Sequence, residues 1–417
     1  MNSRWESSET PESRAALEQA ALAVHWKYGK SHRLIMRGLE LLMRPLVWLL
    51  STEPAPPLDQ VQRILVLEQG HLGDIVQLTP FLQNLRRRFP KAHIAVLGRP
   101  GLKKLLEVQN LADELIPIQL PWAQWLPRWK AYNPFSSLVL NFFRDILRLR
   151  SRHFDLSFVS NLGDIRSNIA LFLAGARRRV AYSFAGGGAL LTDVAAPDLS
   201  RMHRSDVSLR LLQQIGIPVI PSEKLLSLAS EDAEFGREFL LRNGIDESDL
   251  VVGIHAGAGY PIKEWGEDRF RELADKIVSD LGAKVIWFSD PGQPRPKFIG
   301  DNKDIVGASL PLRQFLAVLS CCHTFVGNDS GPMHMAAGLG VRVVAIFGPE
   351  LPEWFGPMGA GHEVVIRKGM WCRPCWRKCR FAENYCLSLI SVEEVMQAVR
   401  NVVGRLAQEK KVAEMSL

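Results

Sequence analysis

Hydrophobic positions in this chain fall into two kinds of pattern: short unbroken apolar runs, and longer stretches whose apolar residues recur three and four apart. Runs at 63–67, 94–97, 115–118, 156–159 and 179–181 read as strands buried on both faces. A second series follows at 250–255, 284–288, 322–326 and 341–347. Helical periodicity falls between them, at 75–89, near 136–150, at 232–243, 267–281, 312–319 and 333–339, and last at 392–406. Strands alternating with helices predict parallel sheets, here as two doubly wound α/β domains. The Pro-rich stretch 51–57 marks a linker before the first domain. The predicted division is an extension over 1–57, domains over 58–221 and 222–390, and a last helix over 391–417 returning to the first domain.

The stretch 326–348, VGNDSGPMHMAAGLGVRVVAIFG, carries the strongest local signal. A strand breaks at Gly327-Asn328-Asp329-Ser330-Gly331-Pro332, and Pro332 suits a first helical turn because its missing N–H would go unpaired there. The Ser330 and Gly331 amides then open a helix N-terminus, where phosphate binds well. An ordinary capped βαβ turn, with Asp329 or Ser330 as the cap, fits the same residues. The loop His255-Ala256-Gly257-Ala258-Gly259 is small enough for backbone to approach a phosphate, and Lys263 follows four residues later with a cation. No G-x-G-x-x-G follows the 63–67 strand and no G-x-x-x-x-G-K-[ST] occurs, which disfavours a dinucleotide dehydrogenase and a P-loop ATPase.

Composition adds a basic balance, 51 Lys+Arg against 44 Asp+Glu, which favours an anionic partner. Arg33, Arg37, Glu40 and Arg44 lie on one stripe of a helix over 25–50 whose other surface is apolar. Such a helix suits an anionic lipid surface, or else packs on its own domain. Trp122, Trp125 and Trp129 stand in a basic insertion over 121–152 and suit the same interface. No apolar run is long enough to span a membrane, and no signal pattern opens the chain, so a cytoplasmic protein is expected. Cys372, Cys375, Cys379 and Cys386 have the spacing C-x2-C-x3-C-x6-C, compatible with zinc, a disulfide or free thiols.

Three segments together resemble glycosyltransferase family 9, the lipopolysaccharide heptosyltransferase family: RILVLEQGHLGDIVQLTPFLQNLRRRFPKAHIAVLGRP, HAGAGYPIKEW and GNDSGPMHMAAGLGVRVVAIFGP. The resemblance implies a GT-B fold, two Rossmann-like domains facing across a cleft, and an inverting transfer from a nucleotide-diphosphate sugar, ADP-heptose above all, to a lipid-linked glycan acceptor. It implies Asp74 as the catalytic carboxylate, although Asp74 also suits the N-cap of the helix that follows it. His71 would lie on the acceptor side. Lys263 would stabilise the departing diphosphate, with Gly257, Ala258, Gly259, Asn328, Asp329, Ser330, Gly331 and His334 around the donor. Gly257 and Ala258 stand where some members carry hydroxyl residues, which leaves donor contacts there to backbone. No metal or other cofactor is required by this scheme. The partners implied are the donor, the acceptor and an anionic membrane surface, with no nucleic acid. The same fold also serves other sugars and sugar-nucleotide epimerases.

Overall fold

The computed structural model describes residues 38, 40, 45, 47 and 54–415, apart from 69, 100, 119–136, 163–164, 184–185, 197–202, 222–224, 293–301 and 376–377. The chain divides between positions 222 and 223 into two compact units. The three tryptophans of the insertion and most of the helix expected over 25–50 lie outside the described residues. Of that helix, Gly38, Glu40, Pro45 and Val47 are helical. Glu40 Oε1 accepts a hydrogen bond from the Gly188 amide at 2.9 Å and Val47 is buried, so these two side chains are spent on packing.

The first unit holds a six-stranded sheet in the order β3-β2-β1-β4-β5-β6. Its strands are β1 (Arg63–Leu67), β2 (His93–Gly98), β3 (Glu114–Pro117), β4 (Leu156–Val159), β5 (Arg178–Tyr182) and β6 (Asp193–Ala195). All pair in parallel. Numbering helices of eight residues or more, α1 (Leu72–Arg88), α2 (Ser137–Arg150), α3 (Ile165–Leu173) and α4 (Arg204–Gln214) belong to this unit. Leu65, Leu67, Phe142, Ile146, Phe154 and Val159 form one of its cores, fully or almost fully removed from water.

The second unit repeats the plan in the order β12-β11-β10-β7-β8-β9, again all parallel. Its strands are β7 (Val251–His255), β8 (Lys284–Ser289), β9 (Ile305–Ser309), β10 (Thr324–Asn328), β11 (Arg342–Phe347) and β12 (Glu363–Ile366). Its helices are α5 (Ser230–Arg242), α6 (Glu267–Leu281), α7 (Leu312–Leu319), α8 (Gly331–Gly338) and α9 (Val392–Met415). Within its own unit α9 packs along α6 and β10–β12. The reason lies in its apolar stripe: Val395, Met396, Val399 and Val402 enter one core with Phe270, Leu273 and Ile277 of α6.

In each sheet the chain reverses its direction of growth once, between β1 and β4 and between β7 and β10. Adjacent loops part at such a switch point, leaving a crevice at the carboxyl ends of the strands where ligands bind. The loops that the sequence marks as chemical follow β1, β7 and β10. Three edge strands, β6, β9 and β12, are absent from the sequence reading. They are short and only partly buried, so no apolar run announces them.

Candidate functional site

In the first unit the residues after β1 fold back onto the start of α1. That helix begins at Leu72, earlier than its periodicity predicts, which makes His71 the N-cap and Asp74 the third helical residue. The expected N-cap role for Asp74 is therefore corrected. Its Oδ2 accepts from the His71 amide at 2.6 Å, the return half of a capping box. Gly70 is required beside it, because a Cβ there would lie 2.3 Å from the Asp74 Cβ. His71 is exposed, and Arg99 Nη1 donates to its Nδ1 at 3.1 Å.

Two residues the sequence reading missed hold this loop. Arg204, at the start of α4, is buried; its Nη2 meets Glu68 Oε2 at 2.5 Å and its Nε lies 3.5 Å from Asp74 Oδ1. Glu68 is buried as well, and accepts from Ser160 Oγ at 2.6 Å and from the Gly70 amide at 2.6 Å. Burial pulls the Arg204 pKa down, but the charges and hydrogen bonds of Glu68 and Asp74 outweigh it and hold the guanidinium above its ordinary value. A charged residue immediately after an apolar strand is the signal that would have found Glu68. Arg204, far along the chain, leaves no such signal.

In the second unit the loops after β7 and β10 meet. Asn328 is fully buried: its Oδ1 accepts from the Trp265 amide at 3.1 Å and its Nδ2 donates to the Ala256 carbonyl at 2.7 Å. It thus acts as the clamp between the loops. Lys263 Nζ donates to Asp329 Oδ2 at 2.6 Å, with 5% of the aspartate side chain exposed, and stands 5.8 Å from the centre of the Phe355 ring. Ser330 is the N-cap of α8, yet its side chain caps nothing, and its buried Oγ has no hydrogen-bond partner among the described residues. Gly331 opens the helix, and His334 is buried one turn in.

Gly257, Ala258 and Gly259 line the approach, partly or fully exposed. A Cβ on Gly259 would meet nothing within 4 Å, so the protein's own packing does not demand glycine there. Further residues to which the sequence assigned no site role surround this cluster. His255 ends β7 with Nε2 3.5 Å from Asp290 Oδ1. The His255 hydrogen bond holds the Asp290 carboxyl below the usual range against the opposing effect of burial. Glu350, after β11, is buried with its Oε2 unpartnered among the described residues.

The four-cysteine loop adjoins this cluster. Arg373 Nε donates to the Gly348 carbonyl at 2.5 Å and the Cys375 amide to the Pro349 carbonyl at 3.1 Å. All four thiols are free, and burial together with the neighbouring Cys372 pushes Cys375 up to about 12. Among the described residues no group of three or more His, Cys, Asp or Glu is arranged to hold a metal ion.

Lipopolysaccharide heptosyltransferase 2 of Escherichia coli (strain K12) is 24% identical over 355 residues, covering 79% of this chain and 94% of that protein. Lipooligosaccharide heptosyltransferase 2 of Haemophilus ducreyi is 24% identical over 82% of this chain. Among solved structures, a family 9 glycosyl transferase from Veillonella parvula aligns with a TM-score of 0.65 at 23% identity, over 82% of this chain and 98% of that one. The E. coli ADP-heptose lps heptosyltransferase II aligns at 0.62 and 19% identity, over 84% of this chain and 100% of that one. These likenesses carry the GT-B fold that both sheets display. The family model for glycosyltransferase family 9 (heptosyltransferase) matches residues 144–386, more than half of the sequence, and the chain belongs to that family.

Proposed function

We propose that this glycosyltransferase moves heptose from ADP-heptose to a lipid-linked acceptor of lipopolysaccharide or a related surface glycan, with inversion at the anomeric carbon. The observation that carries the reading is the Lys263–Asp329 pair beside the N-terminus of α8, where Ser330 Oγ is buried without a partner among the described residues. A lysine beside a helix N-terminus at a switch point suits a diphosphate. The donor named by the relatives, ADP-heptose, supplies one.

In the proposed reaction the acceptor hydroxyl gives its proton to the Asp74 carboxylate as its oxygen attacks the anomeric carbon. The bond from that carbon to the diphosphate breaks on the opposite face, and Lys263 meets the charge growing on the leaving group. Asp74 is suited to this role because each carboxylate oxygen keeps acceptor capacity beyond the His71 amide and Arg204. Gly257–Gly259, Asp329, Ser330, Gly331 and His334 are assigned to the donor and His71 to the acceptor. Action on a lipid-linked acceptor places the protein at the cytoplasmic membrane face, held peripherally; among the described residues no helix is long and apolar enough to cross a membrane.

The test is a thermal-shift series with ADP-, GDP-, UDP- and dTDP-sugars, followed by transfer assays with the sugar that binds. ADP-heptose is expected to raise the midpoint, since a ligand that binds only the folded state stabilises it. A rise with a different nucleotide sugar alone would replace the donor, and no rise with any would remove the diphosphate site.

A further inference from the structure

Glu350 lies on the loop that follows β11, with 3% of its surface exposed and its Oε2 unpartnered among the described residues. Among the described residues, Lys263 and Asp329 are charged groups whose fields reach it, one from the turn Pro261–Lys263 and one just after β10. The short helix Pro352–Phe355 begins two residues later and brings the Phe355 ring to Lys263, so loop and lysine form one packed cluster. From the cysteine loop, Arg373 donates to the Gly348 carbonyl, two residues before Glu350, and burial lowers its own pKa. Burial raises the Glu350 carboxyl to about 7; Lys263 opposes that rise and Asp329 adds to it.

The charge balance of this cluster changes when a ligand arrives. Lys263 already faces Asp329 at 2.6 Å and, among the described residues, is the cation that opposes the rise at Glu350. A diphosphate placed beside it brings more negative charge, and an ionised Glu350 would repel it across a dry interior. A protonated carboxyl has an O–H to give instead. Building on the diphosphate reading above, we propose that Glu350 takes up a proton when the donor binds and serves as a hydrogen-bond donor in the diphosphate site. The proton comes from the solvent and adds to the carboxylate oxygen, with no other bond made or broken.

The linkage has a definite sign. Bound protein carries more protons than free protein above pH 7, so donor affinity falls as pH rises from there, by up to about tenfold per pH unit until the bound-state pKa is reached. Glu350→Gln, which resembles the neutral acid, is expected to bind with an affinity that is flat over the same range.

The measurement is isothermal titration of ADP-heptose, or of whichever nucleotide sugar raises the melting midpoint, between pH 6.5 and 9. Buffers of low and high ionisation enthalpy are compared. A nucleotide sugar is the right probe because its diphosphate is a diester without an ionisation near neutrality. Wild type should show buffer-dependent heats reporting proton uptake above pH 7, and Glu350→Gln should lack them. Binding without proton uptake, or the same uptake in both proteins, would overturn the role of Glu350 and leave the diphosphate site standing. Failure of every nucleotide sugar to bind would overturn both. The ligand-free variant should melt no lower than wild type at pH 8, and a much lower midpoint would show that the ionised form is needed for folding and end the proposal.

Discussion

The two units carry comparable charge clusters at comparable places in their sheets, yet one is closed and the other is not. Around Arg204, Glu68 receives three donors and Asp74 two, so the polar atoms of that network are engaged. Around Lys263, the Ser330 hydroxyl and one oxygen of Glu350 are buried with no partner among the described residues. A buried polar group left unmade costs about 1–3 kcal/mol, so such groups call for a reason. A satisfied network fixes a side chain, whereas an unsatisfied one keeps hydrogen-bonding capacity that a ligand could use. The contrast fits a base held ready in one unit and a donor site filled only on binding in the other.

The sharpest way to break this contrast is to remove the proposed base. Asp74→Ala should lower the rate of transfer by about 10²–10⁴-fold and leave donor affinity, measured by titration, nearly unchanged. A variant that keeps near-normal turnover would take Asp74 out of the mechanism. Arg204→Ala tests whether the first cluster is locked. It strands Glu68 as a buried, unpaired carboxylate and should cost about 3–5 kcal/mol of stability, read as a lower denaturation midpoint. An unchanged midpoint would mean that the network does not hold the loop.

In the second cluster Lys263→Ala should weaken donor binding by about 1.5–3 kcal/mol, the range for a hydrogen bond to a charged group, and slow turnover as well. Survival of both affinity and rate would move the phosphate site elsewhere. Ser330→Ala gives opposite signs for the free and bound states. Without ligand the protein should be as stable as wild type or more so, because an unsatisfied buried hydroxyl is gone; with donor it should bind about 0.5–1.5 kcal/mol less tightly. A loss of stability without ligand would show that Ser330 already serves the fold.

The smallest effect concerns the membrane. Because Glu40 and Val47 are used in packing, a chain starting at Leu58 should lose only part of its flotation with anionic liposomes. Equal flotation of both chains would assign the attachment to other residues, and salt should weaken whatever part depends on Lys and Arg.

Much of the architecture was legible because periodicity is a local property. Buried central strands such as β1, β7 and β11 appear as apolar runs, since both of their faces are covered. Motif residues were legible for a related reason: Gly331-Pro332 and the loop at 255–259 have backbone requirements that short spacing reveals. The edge strands β6, β9 and β12 were not, because half-buried strands leave mixed sequence, and neither was the surface against which α9 packs, since its apolar stripe fits any complementary one.

Which charges meet was decided by tertiary structure alone. Arg204 reaches Glu68 across 136 positions of sequence, and Glu350 joins Lys263 and Asp329 only because β11 lies beside β10 in the sheet. The sequence determined that this chain forms two parallel α/β units with glycine-rich and acidic loops at their strand ends. The tertiary packing then determined which of those polar groups are satisfied and which are buried without a partner among the described residues, because the energy of a charge depends on its surroundings in space and not on its neighbours in the chain.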